Sequence, residues 1–124
     1  MNRQTIIIVL TLVISNCALA QTVDSLYMVI YTTGKSWDLA KQPQEQTYFK
    51  EHSANLSALR KTGTIKVGAR YADKGMIVIA ASDIEAASKI INADVAIQNH
   101  LFDVTIDRLN IFYDGCLDRP QTGK

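Results

Sequence analysis

The chain has 124 residues, with thirteen Lys and Arg against twelve Asp and Glu, and a formal charge of +1. That balance supplies no basic surface for nucleic acid and no charge block of the kind that forms a solvated tail. Once the first residues are set aside, the length allows a single domain.

Residues 1–20 read as an export signal. Met1-Asn2-Arg3-Gln4 carries one positive charge, residues 6–14 are an apolar run, and Ala18-Leu19-Ala20 closes it with the small-x-small pattern that signal peptidase reads. The run is short for a bilayer span, which argues against a membrane anchor. Cleavage after Ala20 leaves Gln21 as the new N-terminus of a periplasmic or secreted protein with no membrane attachment. A lipoprotein is the alternative, because Ile14-Ser15-Asn16-Cys17 loosely matches a bacterial lipobox, although Asn16 stands where a small residue is usual. Cleavage removes Arg3 and no acidic residue, so the mature chain has a formal charge of zero. Cys116 is then the only cysteine, which excludes an internal disulfide. It is a free thiol, an intermolecular bridge or a buried small hydrophobe, the last being the usual fate of an unpaired cysteine.

The mature chain, taken as one domain over residues 21–114, alternates between period two and period 3.6. Residues 26–33 form a first strand, and its run Leu26-Tyr27-Met28-Val29-Ile30-Tyr31 is apolar on both faces. A loop over residues 34–43 holds Trp37. Residues 44–61 follow as a helix with Phe49, Leu56 and Leu59 on one stripe and Gly63 at its C-cap. The second strand, 64–72, sends Ile65, Val67, Ala69 and Tyr71 one way and Lys66, Gly68 and Arg70 the other. Asp73-Lys74-Gly75 is a hairpin turn into a third strand, Met76-Ile77-Val78-Ile79-Ala80-Ala81, again apolar on both faces. Ser82 and Glu85 make a capping box for a second helix, whose buried stripe is Ile84, Ala87 and Ile91. Residues 93–102 are expected to be a loop and 103–113 a fourth strand. In that strand Val104 and Ile106 share one face while Leu109, Ile111 and Tyr113 share the other, so a bulge is expected near Asp107-Arg108. Residues 115–124, with Gly115, Pro120 and Gly123, form a frayed tail.

The order β-α-β-β-α-β is the ferredoxin-like split unit, an α+β sandwich whose four-stranded antiparallel sheet runs in the order 4-1-3-2. Strands one and three are central in that order, and they are the two runs apolar on both faces. Two helices shield one side only. A bare apolar face is rare on a soluble monomer, so the expectation is a homodimer packed through the helix-free sheet face. A flat ligand platform or a different partner chain is the alternative.

His52 points into the apolar stripe of the first helix, three residues after Phe49 and four before Leu56. There an imidazole needs hydrogen-bond partners, so it is either a satisfied structural side chain or a general acid or base. Asp94 follows Ile91 by three residues and is aimed to the same side. Beside an imidazole it would fix the tautomer and favour the charged ring; otherwise it is a turn residue. Arg70 could hold an anionic ligand or lie solvated at an edge, and Trp37 could lid a pocket or pack on a helix. His100 has no Cys or carboxylate at metal-like spacing, so no metal is assigned. There is no phosphate-binding glycine loop, nucleophile elbow or zinc motif, and no cofactor is implied.

Phe49-x-x-His52-x-x-x-Leu56-x-x-Leu59-x-x-x-Gly63, then Gly68, Asp73-x-Gly75 before an apolar strand, and Ala86-Ala87 before Ala93-Asp94 together resemble the YciI-like (YCII-related) family. The resemblance spans roughly residues 26–113, and its specificity lies in the order and spacing of short motifs. It implies a dimeric α+β barrel of ferredoxin-like subunits with a His–Asp active-site pair, which maps onto His52 and Asp94. Some relatives resemble cofactor-free lyases, including a dehydrochlorinase of chlorinated hydroxyquinols. The chain departs from the family in Val95-Ala96, where Pro and an aromatic are usual, in the long 34–43 loop and in the export signal.

The functional expectation is an exported protein in which His52 acts as general acid or base on a small molecule, Asp94 orients it and Arg70 meets developing negative charge. Two rivals are a non-catalytic periplasmic small-molecule-binding protein and a protein-interaction module.

Overall fold

The protein is described by a computed structural model over residues 24–120. The expected signal, its expected cleavage site and Cys17 therefore lie outside the described residues. In chain order the elements are β1 (Ser25–Thr33), a 3-10 turn (Pro43–Glu45), α1 (Phe49–Lys61), β2 (Ile65–Tyr71), β3 (Lys74–Ala81), α2 (Ile84–Asn92), α3 (Val95–Gln98) and β4 (Phe102–Leu109). The protein is α+β, with one four-stranded sheet in the order β2-β3-β1-β4 and every neighbour antiparallel. This is the expected strand order, with the two doubly apolar strands in the centre.

Pairing assigns the faces, because partners across a ladder share a side and neighbours along a strand alternate. Tyr27, Val29 and Tyr31 of β1 lie with Ile77 and Ile79 of β3 and with Val104 and Ile106 of β4. These meet Ala87 and Ile91 of α2, Ile97 of α3 and Leu56 of α1, and this contact forms the core. Leu26, Met28 and Ile30 point the opposite way, with Met76, Val78, Val67 and Leu109 as their neighbours. No helix lies on that side among the described residues, and of these seven side chains only Val78 is buried.

Several local expectations are corrected. The first helix begins at Phe49, not residue 44, because Tyr48 sits at φ 70 and breaks the spiral. Before it, the buried Gln46 side chain donates to the Asp38 and Lys41 carbonyls and accepts from the Asp38 amide, tying down the loop after β1. The other end is as expected. Gly63 at φ 75 donates to Arg60 O and Thr64 donates to Leu59 O, closing the helix in a Schellman motif.

The bulge is in β2 and not in β4. Ile65 pairs with Ile79 but Val67 pairs with Val78, so Lys66 is the extra residue. Ile65 consequently shares the helix side with Gly68 and Arg70, while Val67, Ala69 and Tyr71 face the other way. β4 pairs without interruption from Leu26–Leu109 to Thr33–Phe102, and Leu109 simply belongs to the helix-free face. The β1–β4 pairing and β4 itself both end at Leu109. Ile111, Phe112 and Tyr113, expected in the strand, are outside it and 56 %, 88 % and 84 % exposed. The hairpin turn is Ala72-Asp73, since Tyr71 already pairs with Lys74. Asp83 and not Ser82 caps α2, accepting from the Ala86 amide at 2.7 Å. A carboxylate is the stronger acceptor of two adjacent candidates. Residues 95–98, expected in a loop, form α3. Cys116 is exposed, not buried.

Candidate active site

A cavity of about 410 Å³ opens at the corner of the sheet where β2, β3 and β1 meet the start of α1. It exists because two positions on the helix side of that corner are glycines. Gly68 pairs with Ile77, and Gly75 sits between Arg70 and Tyr31. A Cβ at either would clear its neighbours by 3.5 Å or more, so the missing side chains leave space and not strain. Tyr31, Trp37, Phe49 and Phe102 wall the space, and His52 and Arg70 border it. Trp37 reaches this place because its loop is pinned to the start of β4. Gly34 donates to Leu101 O and Ser36 to His100 O, and a side chain on Gly34 would run into His100 O at 2.1 Å. The Trp37 ring then rests 5.6 Å from that of Phe102.

His52 and Asp94 are joined. His52 Nδ1 donates to Asp94 Oδ2 at 2.6 Å, and both residues are buried, 7 % and 3 % exposed. The helical spacing that buries Leu56 also aims His52 inward, one turn into α1. Asp94 is held because it caps α3, with its Oδ1 accepting from the Ala96 amide at 2.9 Å. Asn55 Nδ2 adds a donor to Oδ2 at 3.3 Å. Burial opposes ionisation of Asp94 and is the largest single influence. The hydrogen bonds from His52, Ala96 and Asn55, and the positive charge of the His52 ring whenever it is protonated, outweigh it and hold the carboxyl below its ordinary range. An ionised carboxylate only accepts, so Nδ1 carries a proton.

That leaves His52 Nε2. Among the described residues it has no hydrogen-bond partner, yet no buried side-chain polar atom there is left unpaired. Nε2 is therefore open, and the space His52 borders is the cavity. Against the expected site, His52, Arg70 and Trp37 line one cavity, and Asp94 stands behind His52 without lining it. Arg70 forms no salt bridge among the described residues. His100 is exposed at φ 58 and does not line the cavity. Among the described residues no group of three or more His, Cys, Asp or Glu is gathered to hold a metal.

Sequence reasoning missed Asn55, Phe102 and Tyr31. Asn55 follows His52 by three residues, so helical spacing could have found it. Phe102 falls in the segment expected to be a loop, and Tyr31 in the doubly apolar run of the first strand, where nothing marks its hydroxyl.

The pair also stabilises the fold. Asp94→Ala is expected to cost about 2–4 kcal/mol in urea unfolding: about 1–3 for buried donors losing their acceptor and about 1 for the lost cap. Asp94 is more acidic in the folded chain than in the unfolded one. Its contribution is complete above the ordinary carboxylate range and fades as the pH falls through that range to the lowered folded value. Asp94→Asn should flatten this part of the acid-stability curve; an unchanged slope would show that the pair carries no such linkage.

No family model matches the chain, and no curated protein matches it either.

Proposed function

We propose that the chain is an exported YciI-like (YCII-related) protein, a ferredoxin-like subunit of a dimeric α+β barrel, in which His52 and Asp94 perform acid–base chemistry on a small molecule. The observation that carries this is the buried His52–Asp94 bond at 2.6 Å with the opposite ring nitrogen open to an aromatic-walled cavity. That is the arrangement general acid–base catalysis needs. The carboxylate fixes the ring and stabilises its charged form, and the free nitrogen exchanges a proton with the ligand.

The step that suits these groups is proton removal beside a carbonyl. Nε2 takes the proton, the C–H pair becomes a carbon–carbon double bond, and the carbonyl π pair moves onto oxygen. Arg70 at the mouth offers positive charge to that oxygen. Where the neighbouring carbon carries a leaving group such as chloride, the same electron pair expels it, which gives a lyase of the dehydrochlorinase type. Where it does not, the proton returns to the opposite face of the carbon it left or to a conjugated carbon, the carbonyl re-forms, and the outcome is isomerisation. None of these steps draws on a cofactor.

The helix-free face supports the dimer. Leu26, Met28, Ile30, Met76 and Val78 make a continuous apolar area on the two central strands. A second copy presents the same surface and can cover it two-fold symmetrically.

The test is deuterium uptake from heavy water into a panel of small cyclic ketones and 1,3-diketones, followed by NMR. Uptake faster than in buffer is expected for at least one member. Ring compounds that bind without any acceleration of uptake would leave a binding protein and not an acid–base one.

A further inference from the structure

Tyr31 lies on the helix side of β1 and is 6 % exposed. Its ring meets His52 edge-on at 5.4 Å and Phe102 edge-on at 6.1 Å, so its direction is fixed by packing. Nothing among the described residues hydrogen-bonds to its hydroxyl, and no buried side-chain polar atom there is without a partner. The hydroxyl is therefore open, and the space Tyr31 borders is the His52 cavity. Burial first, and the charge of Asp94 second, raise the pKa of this phenol far above its ordinary value. It stays protonated and acts as a donor, not as a base.

Two unpartnered polar atoms thus face one cavity, a bare imidazole nitrogen and a phenolic O–H. The walls also carry the rings of Trp37, Phe49 and Phe102, which favour the faces and edges of another flat ring, and the cations Arg70 and Lys74, which favour an anionic one. We propose that Tyr31 donates a hydrogen bond to an oxygen of the bound molecule, and that this molecule is a flat conjugated oxyanion or the carbonyl compound that becomes one. The inference deepens the acid–base reading of His52 and rests on it for the chemical step. As Nε2 takes the proton from carbon and the carbonyl π pair moves onto oxygen, the Tyr31 bond strengthens, because a charged acceptor holds a donor more tightly than a neutral one.

The probe is 4-nitrophenol, at a pH where it is ionised, with nitrobenzene as the same ring lacking the oxyanion. Binding is read by calorimetry and by quenching of Trp37, the only tryptophan in the chain and part of the cavity wall. The native protein is expected to hold the phenolate at least about tenfold more tightly than nitrobenzene. Tyr31→Phe is expected to remove about tenfold of that preference and to leave nitrobenzene binding unchanged. Equal binding of the two probes by the native protein overturns the ligand class, as does no binding of either. A preference that survives in Tyr31→Phe, or a variant that loses nitrobenzene as well, overturns the role of the hydroxyl. Because the titration involves no turnover, failure of the acid–base reading shows separately, as a phenolate held through Tyr31 in a protein that exchanges no protons.

Discussion

Replacing His52 with glutamine is expected to slow deuterium uptake into a responsive ketone by about 10²–10⁴-fold, the usual worth of a positioned general base. Glutamine can still donate an amide hydrogen to Asp94 Oδ2, so the buried carboxylate keeps a partner while the proton acceptor facing the cavity is lost. His52→Ala should show the same loss of rate with a larger fall in stability, because Asp94 then retains only Asn55 and the Ala96 amide. Uptake per folded molecule separates a chemical from a structural role, because a purely structural loss would disappear once the rate is scaled to the folded fraction of His52→Gln. If His52→Gln, folded by thermal melting, exchanged protons at the native rate, the base would have to be another group.

The second large effect concerns assembly. In the free subunit Met28 lies on a central strand and is half-buried on the helix-free face. Met28→Glu should therefore cost a lone subunit little. In a two-fold dimer packed through that face, each copy would bring a carboxylate into a dry interface, and an unpaired buried charge costs several kcal/mol. At about 1.4 kcal/mol per factor of ten, the dimer dissociation constant should rise by about 10³-fold or more. Sedimentation of the native protein should give a dimer, and of Met28→Glu a folded monomer. A native monomer at micromolar concentration would contradict the proposed assembly.

The strand order was legible because β1 and β3 carry apolar residues at consecutive positions, the pattern of central strands. His52 and Asp94 were legible from spacing: each follows an apolar residue, Phe49 or Ile91, by three positions, so periodicity aims it inward. Features that depend on single backbone angles were not. Nothing in Gln46-Thr47-Tyr48 announces a left-handed residue, because the signal for one is usually Gly or Asn. The bulge at Lys66 was misplaced to β4, because Leu109 facing the helix-free side breaks the alternation there just as a bulge would. Ile111, Phe112 and Tyr113 have strand-like composition, but a strand needs a paired neighbour, and the β1–β4 pairing stops at Leu26–Leu109. Tyr31 was invisible as a site residue because its apolar body places it in the core, while its hydroxyl matters only once the glycines at 68 and 75 are seen to leave a cavity beside it.

The central claim is that Asp94 holds the His52 ring with Nδ1 protonated and Nε2 bare toward the cavity. Nitrogen-15 NMR of the His52 ring tests it most directly, with and without 4-nitrophenol. The account predicts a proton on Nδ1 that is lost or weakened in Asp94→Asn, and an Nε2 resonance that moves when the ring probe binds. A neutral ring protonated on Nε2, or an Nε2 resonance indifferent to the probe, would contradict it.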